Sequence, residues 1–280
     1  MREVDCQDIE AAVADLVIRA NTQLPRDVYE ALERACQVEE SDIGRSCLEI
    51  ILKNAELARS EGLALCQDTG QLAVNVKLGQ EIHITGGNLL AAINRGVAKG
   101  YREGFFRASV VDNPIYRRNT GDNTPAIINI EVVDGDGLEL EAMPKGAGSE
   151  NMGRLAMLKP SDGWPGVERF VLETVEQAGP NPCPPVIVGI GLGGNMEKAA
   201  QLAKKALFRP LDVKNQDERL ARLEGDLLEK INRLGIGPQG FGGRVTALAV
   251  AIECFPTHIA SLPVAVCLGC HCMRRCTTRL

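Results

Sequence analysis

NPCPPVIVGIGLGGNMEKAAQLAKKAL, residues 181–207, decides how this chain is to be read. Gly189, Gly191 and Gly194 spell G-x-G-x-x-G between a run that reads as a strand and one that reads as a helix. A dinucleotide site needs more: a second strand after the helix, ending in an acidic residue about 20 positions on that holds the ribose. Here the helix runs into FRPLDVKNQDERL. Asp212 stands near that distance, but Pro210 and the polar residues after it do not suit a central parallel strand. The unit that the fingerprint requires is incomplete, and a tight strand-to-helix turn accounts for the glycines. Cys183, between Pro182 and Pro184-Pro185, is the other feature. Proline fixes φ and lacks an N–H, so this cysteine sits on a rigid loop and is presented rather than packed.

Outward from this stretch the chain alternates helix and strand. The first part, about 1–62, reads as helices. Ile9, Val13, Leu16 and Val17 recur at helical spacing, Pro25 suits a first helical position, and Ser41 can cap the run through Ile43, Cys47 and Ile50. ALCQDTG (64–70) breaks the texture, and QLAVNVKLG (71–79) alternates as a half-buried strand. NLLAAINRGVAKGYREGFF (88–106) returns to helix. AIINIEVVDGDGLELEAMP (126–144) reads as a hairpin turning at Asp134-Gly135-Asp136-Gly137. MPKGAGSENM (143–152) reads as a loop, 167–179 and 218–235 as amphipathic helices, and 246–254 and 262–270 as buried strands. There is no internal repeat, low-complexity linker or composition shift. The expectation is a single mixed α/β domain over 1–280, with an N-terminal helical segment and mixed sheets.

A net charge of −6 gives no electrostatic footprint for nucleic acid, so none is expected as a partner. Arg274, Arg275 and Arg279 read as a solvated basic tail. No apolar run reaches the roughly 18 residues of a membrane span, and Met1-Arg2-Glu3 begins no signal peptide. A cytoplasmic protein with no membrane contact is the expectation. Ten cysteines are many for 280 residues, yet far below the density of a disulfide scaffold. In a reducing compartment surplus thiols are packed as small apolar groups or bind metal. Cys6, Cys36 and Cys47, among apolar residues in helical patterns, read as packing.

Cys66, Cys183 and the CLGCHCMRRC segment (267–276) leave two metal readings open. In one, the tail binds zinc by itself through Cys267, Cys270, Cys272 and Cys276, although the step from Cys270 to Cys272 is short for zinc spacing. A non-catalytic metal or redox-sensing protein would be built that way. In the other, distant cysteines converge on an iron–sulfur cluster. Spacing alone does not choose between them.

ALCQDTG, MPKGAGSENM, NPCPPVIVGIGLGGNMEKAAQLAKKAL, GPQGFGG (237–243) and PTHIASLPVAVCLGCH (256–271), in this order, resemble the iron–sulfur class I fumarate hydratases. The likeness is closest to the α subunit of their two-subunit form and runs from about Ile9 to Arg275. L-tartrate dehydratase α subunits share the CQDTG and NACPP-like elements, while KGAGSEN and THIASLPVAV look more like the fumarase branch. The resemblance implies a hydro-lyase interconverting fumarate and S-malate, with L-tartrate dehydration as the alternative. It implies that Cys66, Cys183 and Cys270 hold a 4Fe–4S cluster with one iron open as a Lewis acid. This sequence departs from the family's CHAxRR in having Cys272 for alanine, and Cys267 precedes it. Both neighbours are therefore possible substitutes for Cys270.

Asp68 and His258 are implied as the proton-handling pair, in which the carboxylate would fix the imidazole tautomer. Arg107, in FFRASVV, matches the arginine that grips substrate, and its forked guanidinium suits a carboxylate. Gln67 and Asp68, with Lys145, Gly146, Ala147, Gly148, Ser149, Glu150 and Asn151, complete the implied dicarboxylate site; the last seven read as a backbone anion nest. Ala147 stands where the family often has glycine. The family draws its base at carbon from a second module, and only ten residues follow Cys270 here. A separate β-type subunit is therefore the expected partner, in a hetero-oligomer with an α–α contact.

Overall fold

A computed structural model describes residues 2–280; Met1, where the leader reading began, lies outside them. The chain opens with β1 (Arg2–Asp5), α1 (Cys6–Thr22), α2 (Arg26–Val38) and α3 (Asp42–Glu61). It continues through β2 (Gln71–Gly79), β3 (Ile82–Thr85), α4 (Leu89–Glu103), β4 (Ile127–Val133), β5 (Leu138–Lys145), α5 (Ala147–Glu150) and β6 (Arg154–Leu158). Then come α6 (Gly163–Ala178), β7 (Val186–Gly194), α7 (Met196–Ala206), α8 (Glu218–Asn232), β8 (Ala247–Thr257), β9 (Leu262–Gly269) and β10 (Cys276–Arg279). The class is the expected mixed α/β one. Among the described residues no helix is long and apolar enough to cross a membrane.

The chain divides into two compact units, each assembled from separated segments. The first comprises residues 2–25, Ala55–Ala147 and Arg274–Leu280; the second comprises Arg26–Asn54 and Gly148–Met273. The boundaries at residues 54/55 and 147/148 fall inside α3 and α5, so no linker composition marks them.

In the first unit the sheet order is β10-β5-β2-β4, beside a parallel pair β1-β3. The hairpin expected over 126–144 is not formed. β2 lies between β4 and β5, parallel to the former and antiparallel to the latter. The Asp134–Gly137 turn instead passes over the end of β2, whose Gly79 and Gln80 N–H groups donate to the Gly137 and Val133 carbonyls. Alternation identifies strands but not their neighbours. Apolar faces of α1, α4, β2 and β5 make the core, with Ile9, Val13, Val17, Val74, Ile93 and Leu140 buried. α4 lies directly on α1. A Cβ on Gly96 would come within 2.6 Å of the Glu10 carbonyl, and one on Gly100 within 2.7 Å of the Val17 Cβ. That close approach sets Tyr101, the next residue of α4, inside the unit at 2% exposure.

In the second unit the order is β6-β9-β7-β8, closed by α6 and α8 over Val171, Val188, Ile190, Leu227, Ile231 and Val264. The glycine fingerprint has a packing cause. A Cβ on Gly189 would lie 2.3 Å from the Ala203 carbonyl, and one on Gly191 2.0 Å from the Ala199 carbonyl. Only bare backbone lets α7 seat on β7 this closely. The strand parallel to β7 is β8, which follows both α7 and α8, and Asp212 lies in the turn between those helices.

The two units repeat one topology that has no trace as a sequence repeat. Each central strand (β2, β7) pairs parallel with the next long strand (β4, β8) after a helical crossover, and antiparallel with the one after that (β5, β9). The start of the central strand therefore meets the end of its antiparallel neighbour: Gln71 pairs with Lys145, and Ile187 with Gly269. The loops that enter and leave these two corners carry the cysteines and polar residues singled out above.

Candidate active site

The corner of the first unit is built around Asp68. Its Oδ1 accepts from the Gly70 N–H at 3.0 Å and its Oδ2 from the Ala147 N–H at 2.9 Å. A Cβ on Gly146 would come within 3.0 Å of Oδ2, so the carboxylate rests on a stretch without a side chain. The Asp68 carbonyl accepts from Arg274 Nη2 at 2.8 Å. Thr69 Oγ1 donates to the Arg107 carbonyl at 2.8 Å, which fixes the backbone of Arg107 while its side chain stays exposed. Gln67 is exposed, Cys66 half-buried and Lys145 buried. This unit thus brings Cys66, Gln67, Asp68, Arg107, Lys145, Gly146 and Ala147 to one region of the fold. The Ala147 N–H, expected as part of an anion nest, is engaged by Asp68.

Arg274 departs from expectation most. It is no solvated tail: it is 2% exposed, and its guanidinium donates a hydrogen bond to the Asp68 loop. Arg279 pairs with Glu139 at 2.6 Å, tying the last strand to β5. Tyr101 and Asn123, buried beside Arg274's loop, carry no motif signal of their own. Burial pushes the Tyr101 phenol up to about 12, so it stays protonated and donates to the Thr69 carbonyl at 2.6 Å.

The corner of the second unit is built around Cys183. Its φ of +54° turns the backbone sharply, and its N–H donates to the Pro180 carbonyl at 3.0 Å. The Cys183 carbonyl accepts from the His271 backbone N–H at 3.2 Å, and His271 Nδ1 lies 3.0 Å from the same oxygen. Gln239 completes the clasp. Its side-chain amide donates to the Pro184 carbonyl at 2.7 Å and lies 3.0 Å from His271 Nδ1. Residue 270 is thereby held next to the Cys183 loop; the sequence reading noted GPQGFGG but gave Gln239 no role. Ser149 is buried, whereas Gly148, Glu150 and Asn151 are exposed. Glu150 pairs with Lys204, and the Cys267 thiol lies 3.8 Å from its carboxylate. A carboxylate repels an anionic ligand, so Glu150 suits the loop's structure better than substrate gripping.

His258 is exposed in the β8–β9 turn. Its Nδ1 accepts from the Ala260 N–H at 3.2 Å, and the neutral ring therefore carries its proton on Nε2. The Ala260 backbone N–H selects that tautomer.

The cysteines differ in ways that bear on metal binding. Cys6, Cys267 and Cys272 are buried, while Cys183 is exposed and Cys66 and Cys270 are half-buried at loops. Thiolates are what ligate a metal. Burial pushes the Cys254 thiol up to about 11, and burial likewise raises Cys276, which lies on β10 against the core of the first unit. The tail cysteines are thus divided between a core, a carboxylate contact and a loop, which does not suit the four-thiol tail site. Cys183 and Cys270, held together by the His271 clasp, are loop thiols of the second unit, and Cys66 is a loop thiol of the first. Among the described residues no three His, Cys, Asp or Glu side chains group to hold a metal ion, and Cys66 lies in one unit while Cys183 and Cys270 lie in the other.

Comparison with known proteins bears on both corners. A family model described as fumarate hydratase (Fumerase) matches residues 10–279. A putative L(+)-tartrate dehydratase subunit alpha of Methanocaldococcus jannaschii is 45% identical over 279 residues, 97% of each chain. The L(+)-tartrate dehydratase subunit alpha of Escherichia coli K12 is 34% identical over 268 residues, 95% of this chain and 88% of that one.

Proposed function

The chain belongs to the fumarate hydratase (Fumerase) family of hydro-lyases, and from that premise we propose that it is the α subunit of an iron–sulfur enzyme interconverting fumarate and S-malate. The observation that carries this reading is the Asp68 carboxylate, oriented by the Gly70 and Ala147 N–H groups in the loop that also fixes Arg107. Cys66, Cys183 and Cys270 would hold a 4Fe–4S cluster, which when bound supplies an open iron as Lewis acid for the departing hydroxyl.

The chain's own residues do the rest. Arg107 grips one substrate carboxylate through its guanidinium fork. Gln67, Lys145, Ser149 and Asn151 add polar contacts. Dehydration of S-malate removes a proton from one carbon and hydroxide from its neighbour. Asp68 and His258 handle the proton that turns the hydroxide into water, the His258 Nε2–H serving as a hydrogen-bond donor to the departing oxygen. The base that takes the proton from carbon comes from a β-type subunit, which closes the site against water. The assembly is a cytoplasmic hetero-oligomer with an α–α contact, in the compartment that keeps thiol ligands reduced.

L-Tartrate dehydration is the second reading, favoured by the names of the two relatives above. Anaerobic reconstitution with a β-type partner, followed by assays on S-malate, fumarate and L-tartrate, separates the two. A kcat/KM at least tenfold higher for S-malate supports the first reading, and the reverse preference supports the second.

A further inference from the structure

Beneath the Asp68 loop the first unit buries polar side chains that the reaction described above does not use. Three consecutive carbonyls of the loop are each met by a buried donor. Arg274 donates to the Asp68 carbonyl at 2.8 Å and Tyr101 to the Thr69 carbonyl at 2.6 Å. Asn123 Nδ2 donates to the Gly70 carbonyl at 2.9 Å. Asn123 has no solvent exposure and holds φ at +61°, a left-handed conformation that asparagine tolerates better than most residues. Its other amide atom faces a different segment: Oδ1 accepts from the Ser109 and Val110 N–H groups at 2.7 and 3.1 Å. The segment so held begins at Arg107, whose carbonyl is tied to Thr69.

We propose that Asn123 is a positioning residue that locks the proton-handling loop (Asp68–Gly70) to the substrate-gripping segment (Arg107–Val110). One amide sets the carboxylate and the guanidinium in register, donating to one segment and accepting from the other. This inference rests on the roles of Asp68 and Arg107 given above. A buried amide whose two ends serve two segments cannot be replaced by a group that only donates or only accepts. Small errors in such placement cost large factors in rate.

The two functions separate in two variants. Asn123→Asp keeps the shape, the left-handed conformation and the acceptor for Ser109 and Val110, but loses the donor to Gly70. Asn123→Gly keeps the backbone conformation and loses both ends. Each is assayed in the reconstituted assembly with its β-type partner, on whichever of S-malate and L-tartrate is turned over, beside Asp68→Asn. Iron and sulfide contents are measured on the same samples. The expected result is a split. Asn123→Asp lowers kcat about tenfold or more with KM within about threefold, and Asn123→Gly lowers kcat and raises KM about tenfold. Both retain wild-type iron and sulfide. Near-wild-type kcat and KM in both variants, with Asp68→Asn impaired, overturns the inference while leaving the function standing. A loss that only tracks lost cluster or folded protein also overturns it. Normal turnover in Asp68→Asn faults the reading of Asp68 and removes the inference with it.

Discussion

The Ala147 N–H donates to Asp68 Oδ2 at 2.9 Å, so the end of one loop orients the carboxylate carried by another. Both carboxylate oxygens are acceptors, since the Gly70 N–H serves Oδ1 at 3.0 Å. Asp68→Asn turns one of these acceptors into a donor and removes the group that carries the proton. Turnover of the assembled enzyme is expected to fall by about 10²-fold or more, with the cluster absorption unchanged. His258→Asn is expected to act in the same direction. Steady-state kinetics beside the visible spectrum is the check, and near-normal turnover in either variant would return that residue to a structural role.

On the proposed reading, ligation follows presentation rather than proximity in sequence. Protein prepared anaerobically with iron and sulfide is expected to bind about four of each per chain. Cys66→Ser and Cys183→Ser should lose the cluster, while Cys267→Ala and Cys276→Ser keep it, because those two thiols serve a carboxylate contact and a core. Stoichiometric zinc without sulfide under the same iron-replete conditions would point to the tail instead.

Gly191 tests the packing account of the glycine fingerprint. Gly191→Ala sets a Cβ 2.0 Å from the Ala199 carbonyl, which only a shift of α7 can relieve. Overpacking of this kind costs about 1–3 kcal/mol or more. A clear fall in melting temperature is expected, with no stabilisation of either protein by NAD. An unchanged melting temperature would show that α7 does not seat on β7 as described.

Glu39 gives the second unit an acid-sensitive joint. Burial alone would push its pKa up, but bonds from the Ser41, Arg244, Val245 and Glu40 N–H groups outweigh it and hold the carboxyl below the usual carboxylate range. A depressed folded pKa contributes stability above the unfolded value, about 4.3, and that stability is lost as pH falls through the folded value. Glu39→Gln should therefore melt well below wild type at neutral pH, with the gap narrowing as pH drops under about 4. Thermal melts across this range check it; a gap independent of pH contradicts it.

Several elements could be read directly. The helical spacing of Ile9, Val13 and Leu16, the alternation of Leu72 to Leu78 and the amphipathic run from Leu220 to Ile231 all carry local periods, and each became the expected element. The proline-flanked Cys183 was legible as a presented thiol for the same local reason. Strand neighbours were not legible. β2 enters between β4 and β5, and β7 between β8 and β9, through pairings distant in sequence. Arg274 misled because a charge ordinarily stays solvated, and its carbonyl acceptor lies 206 residues away. Asn123 lies in a loop whose composition says nothing of burial, and Gln239 sits among glycines that mask it. Those side chains act on backbone carbonyls, which no residue pattern records.

The central claim is that this chain is the cluster-bearing half of a hydro-lyase whose site is completed by a β-type subunit. Its most direct test is anaerobic S-malate dehydration, followed as fumarate absorbance, by the cluster-loaded chain with and without that partner. The expected result is turnover with the partner and less than about a hundredth of it without, the loss of a placed base being worth about 10²-fold or more. Full activity of the chain alone, or none on S-malate or L-tartrate with the partner present and the cluster intact, would contradict the account.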